Sequence, residues 1–344
     1  MNKSVLFVGP IAEQGGPAIK NRILVTYLKK SVYLKIWNTY DRSIKARIGA
    51  IFSIIFSKQK YIIVAVSRKG RNILYPILLL KSLFGKIQYS CIVIGGNAAG
   101  SFKTRASIRT LQKADVVTVE TSGLKKQMQD AYALDNIYYM PNYKEIEQEE
   151  IKVPAKDHFQ GKELRFLFLS SMRDAKGVHV LFHAFKKVLE EGYIASLDYY
   201  GPIKSDLDHT LLEKIKSTEH INYCGVVDNN DVIKIMGKYQ VFIFPTEYTG
   251  EGFPAVLVEA LASGLPIIAS DMNYNPEIIT HGRNGWIFER GNEEQLTELI
   301  KYCIRHREKL CEISGNNIHD AKQYEAADVI DNYRKKLQKA GWPV

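Results

Sequence analysis

The chain has 344 residues, 46% hydrophobic, 24% charged and 11% aromatic, with a formal net charge of +10. That length makes about two domains, each able to bury a core of its own. The apolar share is too high for a disordered chain and too interrupted for a polytopic membrane protein. Four scattered cysteines, Cys91, Cys224, Cys303 and Cys311, contain no C-x-x-C pair; they argue against a disulfide framework or a zinc module and fit a reducing cytoplasm.

The opening run MNKSVLFVGP holds five apolar residues, too few for the hydrophobic region of a signal peptide, and reads as a buried first strand at 5–9. Further short apolar runs at 61–67, 89–95 and 116–120 read as strands buried on both faces, with helices at 19–30, 73–84 and 122–133. Alternating strands and helices imply a parallel, doubly wound sheet. Two segments of this half, 43–60 (SIKARIGAIFSIIFSKQK) and 68–86 (RKGRNILYPILLLKSLFGK), mix apolar and basic residues. Neither reaches the roughly 18–20 uninterrupted apolar residues that cross a bilayer. Both fit an interfacial position, apolar side chains down and lysines towards headgroups; both also fit core helices with basic solvent faces.

The charge is unevenly spread. Residues 1–114 hold 20 Lys or Arg against Glu13 and Asp41, a net +18, and the remaining 230 residues carry 27 basic and 35 acidic side chains, a net −8. Such a split points to a polyanionic partner for the first domain. No aromatic-basic RNA motif or DNA-reading helix appears, so nucleic acid is not expected, and an anionic membrane surface is. Each basic group near such a leaflet contributes about 1 kcal/mol, enough in sum for reversible attachment.

Charge clusters again at 144–163, a polar stretch suited to a linker. The strand pattern then restarts at 164–170, 195–201, 221–225, 241–245 and 266–270, with helices near 178–191, 208–217, 230–237 and 254–263. The expectation is α/β with two Rossmann-like domains, residues 1–150 and 163–322, whose parallel sheets face one another across a cleft. A last charged helix within 323–344 is free to cross back onto the first domain. In open α/β sheets ligands bind beyond the carboxyl ends of the strands, which places the chemistry in that cleft.

The most informative stretch is 245–285, PTEYTGEGFPAVLVEALASGLPIIASDMNYNPEIITHGRNG. A strand ends at Pro245, a glycine-rich turn follows, and a helix begins near Pro254, a residue suited to a first helical position. Backbone N–H groups of Gly252, Phe253 and Ala255 then lie at a helix N-terminus, where partial positive charge suits a diphosphate. Glu251 stands in the turn and Glu259 eight residues later. A carboxylate beside phosphate repels its ligand unless it grips something else, and vicinal sugar hydroxyls offer it hydrogen bonds of about 1.5–3 kcal/mol each. The spacing E-x7-E alone is weak, and an amphipathic helix with two exposed glutamates also produces it. The surrounding E-G-F-P, A-S-G-L-P-I-I-A-S-D, N-P-E-I-I and H-G-x-N-G make the pattern specific.

With those motifs the chain resembles the family-4 glycosyltransferases, retaining enzymes of the GT-B fold that mostly use nucleotide-sugar donors. The resemblance is specific over about 164–290 and weaker over the first domain. It implies that Glu251 approaches the donor sugar near the reacting carbon, that Glu259 holds the ribose, and that the turn amides meet phosphates and sugar, with Pro254 beside them. It also implies that Lys176, in SMRDAKGVHVLFHAF, neutralises the leaving diphosphate. The family's arginine position holds Ser171, a departure, with Arg173 two residues on as a substitute charge. Val227, in INYCGVVDNNDV, falls where backbone meets the nucleobase, and Gly15 and Gly16 match the glycine pair that lets backbone approach the donor phosphate. The family's first-domain histidine is replaced by Gly95 and Gly96, with Asn97 next to them. MPNYKE at 140–145 matches its Pro-Asn turn.

D-x-D at Asp206–Asp208 is a metal signature of another glycosyltransferase fold, but its place before a helix favours capping. His179 and His183 stand four apart on a helix without a third ligand. No metal and no cofactor is expected. The resemblance implies a retaining transferase moving a sugar from a UDP- or GDP-sugar to an acceptor hydroxyl, such as a lipid-linked oligosaccharide in surface-polysaccharide assembly, on the inner face of the cytoplasmic membrane. The alternatives are a nucleotide-sugar hydrolase or epimerase of the same fold, which needs an acid/base cluster in the first domain, and a non-catalytic membrane-docked scaffold.

Overall fold

The computed structural model describes residues 4–13, 15–41, 43–102, 104–146 and 154–344, apart from the side chain of Lys156. Residues 147–153 of the expected 144–163 linker lie outside them. The chain divides into two units, one of residues 1–145, 250–253 and 324–344, the other of 146–249 and 254–323.

In the first unit the chain runs β1 (Ser4–Gly9), α1 (Gly16–Lys29), β2 (Tyr33–Asn38), α2 (Ile44–Ile55), β3 (Tyr61–Val66), α3 (Arg68–Phe84), β4 (Gln88–Val93), α4 (Arg105–Lys113), β5 (Val116–Val119), α5 (Ser122–Tyr132) and β6 (Ile137–Tyr139). Among the described residues these strands form a six-stranded parallel sheet in the order β2-β1-β3-β4-β5-β6. Strands β1 and β5 are buried throughout, as a parallel sheet covered on both faces requires. Right-handed crossovers put α1 on one face and α2 to α5 on the other.

The second unit runs β7 (Leu164–Leu169), α6 (Val178–Glu190), β8 (Ala195–Tyr200), α7 (His209–Ser217), β9 (Ile221–Tyr223), α8 (Val232–Met236), β10 (Val241–Phe244), α9 (Ala255–Ala262), β11 (Ile267–Ser270), α10 (Asn275–Ile278), β12 (Gly285–Phe288), α11 (Glu293–Arg305) and α12 (Arg307–Ala321). Its sheet, again six described parallel strands, has the order β12-β11-β10-β7-β8-β9. Phe166, Phe168 and Leu197 from the sheet, Phe185 from α6, Leu296 from α11 and Ile313 from α12 belong to its core.

The last helix, α13 (Ala326–Lys339), belongs to the first unit and packs against α1. Ile330, Tyr333 and Leu337 close a core with Val5, Phe7, Leu24 and Leu28. The Tyr333 hydroxyl donates to Ser90 Oγ at 2.8 Å, and Trp342 Nε1 donates to Asp115 at 2.9 Å.

Candidate functional site

Both sheets reverse their strand order once, and in open α/β sheets the crevice at such a reversal is where ligands bind. In the second unit the reversal lies between β7 and β10. The loop after β7 carries Ser171, Arg173 and Lys176, and the loop after β10 runs from Pro245 to the turn before α9. The two loops are tied together: the Glu247 N–H donates to the Ala175 carbonyl at 3.0 Å, and His179 Nε2 lies 3.5 Å from Glu247. Gly177 is where they touch. Its φ of +70° and the 2.0 Å that would separate an added Cβ from the Pro245 oxygen admit no larger residue.

Lys176 ends the 3-10 turn Asp174–Lys176, and its ammonium stands 5.0 Å from the centre of the Tyr248 ring and 5.8 Å from that of Phe244. Arg173 is committed differently. Its Nε and Nη2 both donate to Asp206 Oδ2, at 3.0 and 2.6 Å. Asp208 caps α7, accepting the Thr210 N–H at 2.8 Å, and hydrogen bonds from Thr210 hold its carboxyl below the ordinary value. The D-x-D pair is therefore divided between an ion pair and a cap. Ser171 is half-buried.

The helix after the glycine turn begins one residue later than the sequence suggests: Pro254 is the N-cap of α9, and Ala255 is its first residue. Glu259 lies in the buried stretch Leu257–Ala262 of α9 and is 5% exposed, unlike a solvated glutamate on an amphipathic face. Glu251 is half-buried in the turn. In H-G-x-N-G, Asn284 accepts the Thr280 N–H and donates to the Ile278 carbonyl, so that motif builds a turn. Val227 lies half-buried in the loop after β9, which is joined to the loop after β8 by the Gly201 N–H donating to the Gly225 carbonyl at 2.8 Å.

Residues Gly250–Phe253 belong to the first unit; of the groups beside them there, Glu120 and its partner Lys20 went unnoticed in the sequence, whereas Asn142 and Gly96 lie in segments it had singled out. Glu120, just past β5, accepts the Lys20 ammonium on Oε1 at 3.0 Å and the Gly95 N–H on Oε2 at 3.2 Å. A Cβ on Gly252 would stand 2.7 Å from Glu120 Oε2 and 3.1 Å from the Gly96 nitrogen, so a side chain there would have to displace the buried Glu120 carboxylate. Asn142, from the Pro-Asn turn, donates to the Phe253 carbonyl at 3.0 Å, and the Phe253 ring meets Tyr324 edge-on. Arg71 supports the loop after β4 from within: its guanidinium donates to the Ile94 carbonyl and Ser101 Oγ and lies over the Phe102 ring. Burial lowers its pKa. Asn97 is exposed on that loop, while Gly15 caps α1 with φ +87° and Gly16 opens the helix. The signal for Glu120 was a charge directly ending the apolar run VVTV; its partner lies 100 residues away.

His183 pairs with Glu293 at 3.0 Å. Among the described residues no group of three or more His, Cys, Asp or Glu is placed to hold a metal ion, and no helix is long and apolar enough to cross a membrane.

Residues 148–320, half of the chain, match the family described as glycosyl transferases group 1. The chain belongs to that family. This group 1 chain is 29% identical over 142 residues to the capsular polysaccharide biosynthesis glycosyltransferase CapM of Staphylococcus aureus, a stretch covering 41% of the chain and 37% of CapM. It is 25% identical over 161 residues to the amylovoran biosynthesis glycosyltransferase AmsK of Erwinia amylovora, covering 45% and 39%. The matched stretches thus span about two fifths of these relatives. In fold, the group 1 chain resembles Anabaena Alr3699/HepE, crystallised in complex with UDP, with a TM-score of 0.76 and 14% identity over 98% of this chain and 100% of that one. The GT-B class expected from the motifs is the class of this neighbour and of sucrose-phosphate synthase from Thermosynechococcus elongatus, also at a TM-score of 0.76.

Proposed function

We propose that this chain is a retaining, family-4-type glycosyltransferase that moves a sugar from a UDP-sugar to an acceptor hydroxyl in surface-polysaccharide biosynthesis. The observation that carries the reading is the joined pair of loops at the reversal of the second sheet. They bring Lys176 against Tyr248 and lead directly into the turn before α9, within the family-matched region. The naming of CapM and AmsK as polysaccharide glycosyltransferases, and the UDP in the HepE crystal, support the reaction class and favour UDP over GDP.

In this reading the bond from the anomeric carbon to the diphosphate oxygen breaks through a cationic sugar, and the acceptor oxygen attacks on the same face. The acceptor proton passes to the departing phosphate. Lys176 and the amides at the start of α9 stabilise the negative charge growing there, without a metal ion. Glu259 holds the ribose hydroxyls and Glu251 those of the transferred sugar; Val227 meets the base, while Gly15 and Gly16 allow backbone near the phosphate. The first domain takes the acceptor, proposed to be lipid-linked, and works at the inner face of the cytoplasmic membrane.

The test is transfer from UDP-sugars to extracted lipid-linked acceptor in the presence of EDTA. Lys176→Ala and Glu251→Gln are each expected to lower kcat by about 10²–10³-fold while the circular dichroism spectrum is unchanged. Near-normal turnover by either variant would remove that residue from the mechanism, and an inverted anomeric product would refute the retaining course.

A further inference from the structure

We infer that the outward faces of α2 and α3 form one surface that docks on an anionic lipid bilayer, apolar side chains entering the interface and lysines meeting the headgroups. The inference rests on the membrane reading above and gives it a location. A helix packed on a sheet normally turns its apolar stripe inward. Helix α2 does the reverse: it buries only Ala50 and Ile54. Ile44, Ile48, Phe52 and Phe56 recur every four residues on its outside, with Ile44 74% exposed. The Phe52 and Phe56 rings stack with centres 5.6 Å apart. Helix α3 adds Leu80, Leu83 and Phe84, the last 86% exposed.

The two stripes are held together. The Lys81 ammonium donates to the Ile55 and Ser57 carbonyls, both at 2.9 Å, clamping the end of α2 to the last turns of α3. Contiguous exposed apolar side chains of this number mark an interaction surface. Charge identifies the occupant. No Asp or Glu occurs between Asp41 and Asp115, and Lys45, Arg47, Lys58, Lys60, Lys69 and Lys86 are exposed on and around these helices. A second copy on the same face would oppose two basic rims, whereas an anionic bilayer satisfies both the apolar centre and the rim. Neither helix is long and apolar enough to cross the membrane, so the geometry is that of helices lying in the interface.

The full chain is to be sedimented with large unilamellar vesicles of phosphatidylcholine alone or with about one third phosphatidylglycerol, at low and high salt. Binding is expected only to the anionic vesicles and weaker at high salt. Phe52→Glu/Phe84→Glu is expected to lower the partition by about tenfold or more, and Lys45→Gln/Lys58→Gln by about thirtyfold. Both should keep the parent melting temperature and UDP-sugar turnover on a soluble acceptor. Should the phenylalanine pair prevent folding, the lysine pair decides. Failure of the parent chain to bind anionic vesicles overturns both the surface and the membrane reading. Parent-like binding by folded variants overturns the surface alone. A drop in molar mass of either variant by light scattering shows that a second copy covers this face, and also overturns it. Turnover is read separately, so none of these results touches the transferase proposal.

Discussion

Lys20 and Glu120 are a buried ion pair, with side chains 3% and 6% exposed, at the point where the first unit receives the turn containing Gly252. Two opposite charges removed from water hold each other in place, and either one left alone carries an uncompensated desolvation cost. Glu120→Ala or Lys20→Ala is therefore expected to destabilise the chain by about 3–5 kcal/mol. The double change Lys20→Met/Glu120→Leu should restore most of that stability in urea unfolding, yet leave Gly95 without its carboxylate acceptor. At this scale the sequence was only partly legible. Lys176 and Glu251 stand out because local motifs surround them. Lys20 looks like any helical lysine until the sheet brings Glu120 to it, and Arg173 looks available until Asp206 takes its guanidinium.

At the scale of elements, helix α12 is fastened to the turn after α10 by Asp320, whose oxygens accept both Arg283 Nη atoms and Asn284 Nδ2. Burial alone would raise this carboxyl, but Arg283 and Asn284 outweigh it and hold it below its ordinary value. A folded-state value below the unfolded one adds stability that is present above the ordinary aspartate pKa of about 4 and is lost as pH falls through the lowered value. Asp320→Asn should thus cost about 1–3 kcal/mol at pH 7, and the gap from the parent chain should narrow in urea titrations below about pH 4. The interior strands were readable as apolar runs because parallel strands are covered on both sides. Strand β2 was not: at the sheet edge YLKIWN leaves Tyr33, Lys35 and Asn38 exposed, so no run forms. The segment at 43–60 was readable as an amphipathic helix, but which side faced inward depended on packing that only the fold supplies.

For the whole molecule, two sheets of one class within 344 residues put the expected nucleotide in one unit and most of the positive charge in the other. If the second unit takes UDP, the nucleotide at a hundred times its Kd should add about 2.7 kcal/mol of stability. Scanning calorimetry should then show the melting transition rising with UDP and less with GDP; no rise with UDP would count against the donor proposed. The division into units has one more consequence. Because α13 seals the face formed by Leu24, Leu28 and Val5, the first-born half of the chain stays unsealed on the ribosome until α13 has been made. Its sheet must wait, apolar side exposed, through synthesis of everything between, so this half is the place to look for chaperone dependence and for aggregation of chains truncated before Ala326.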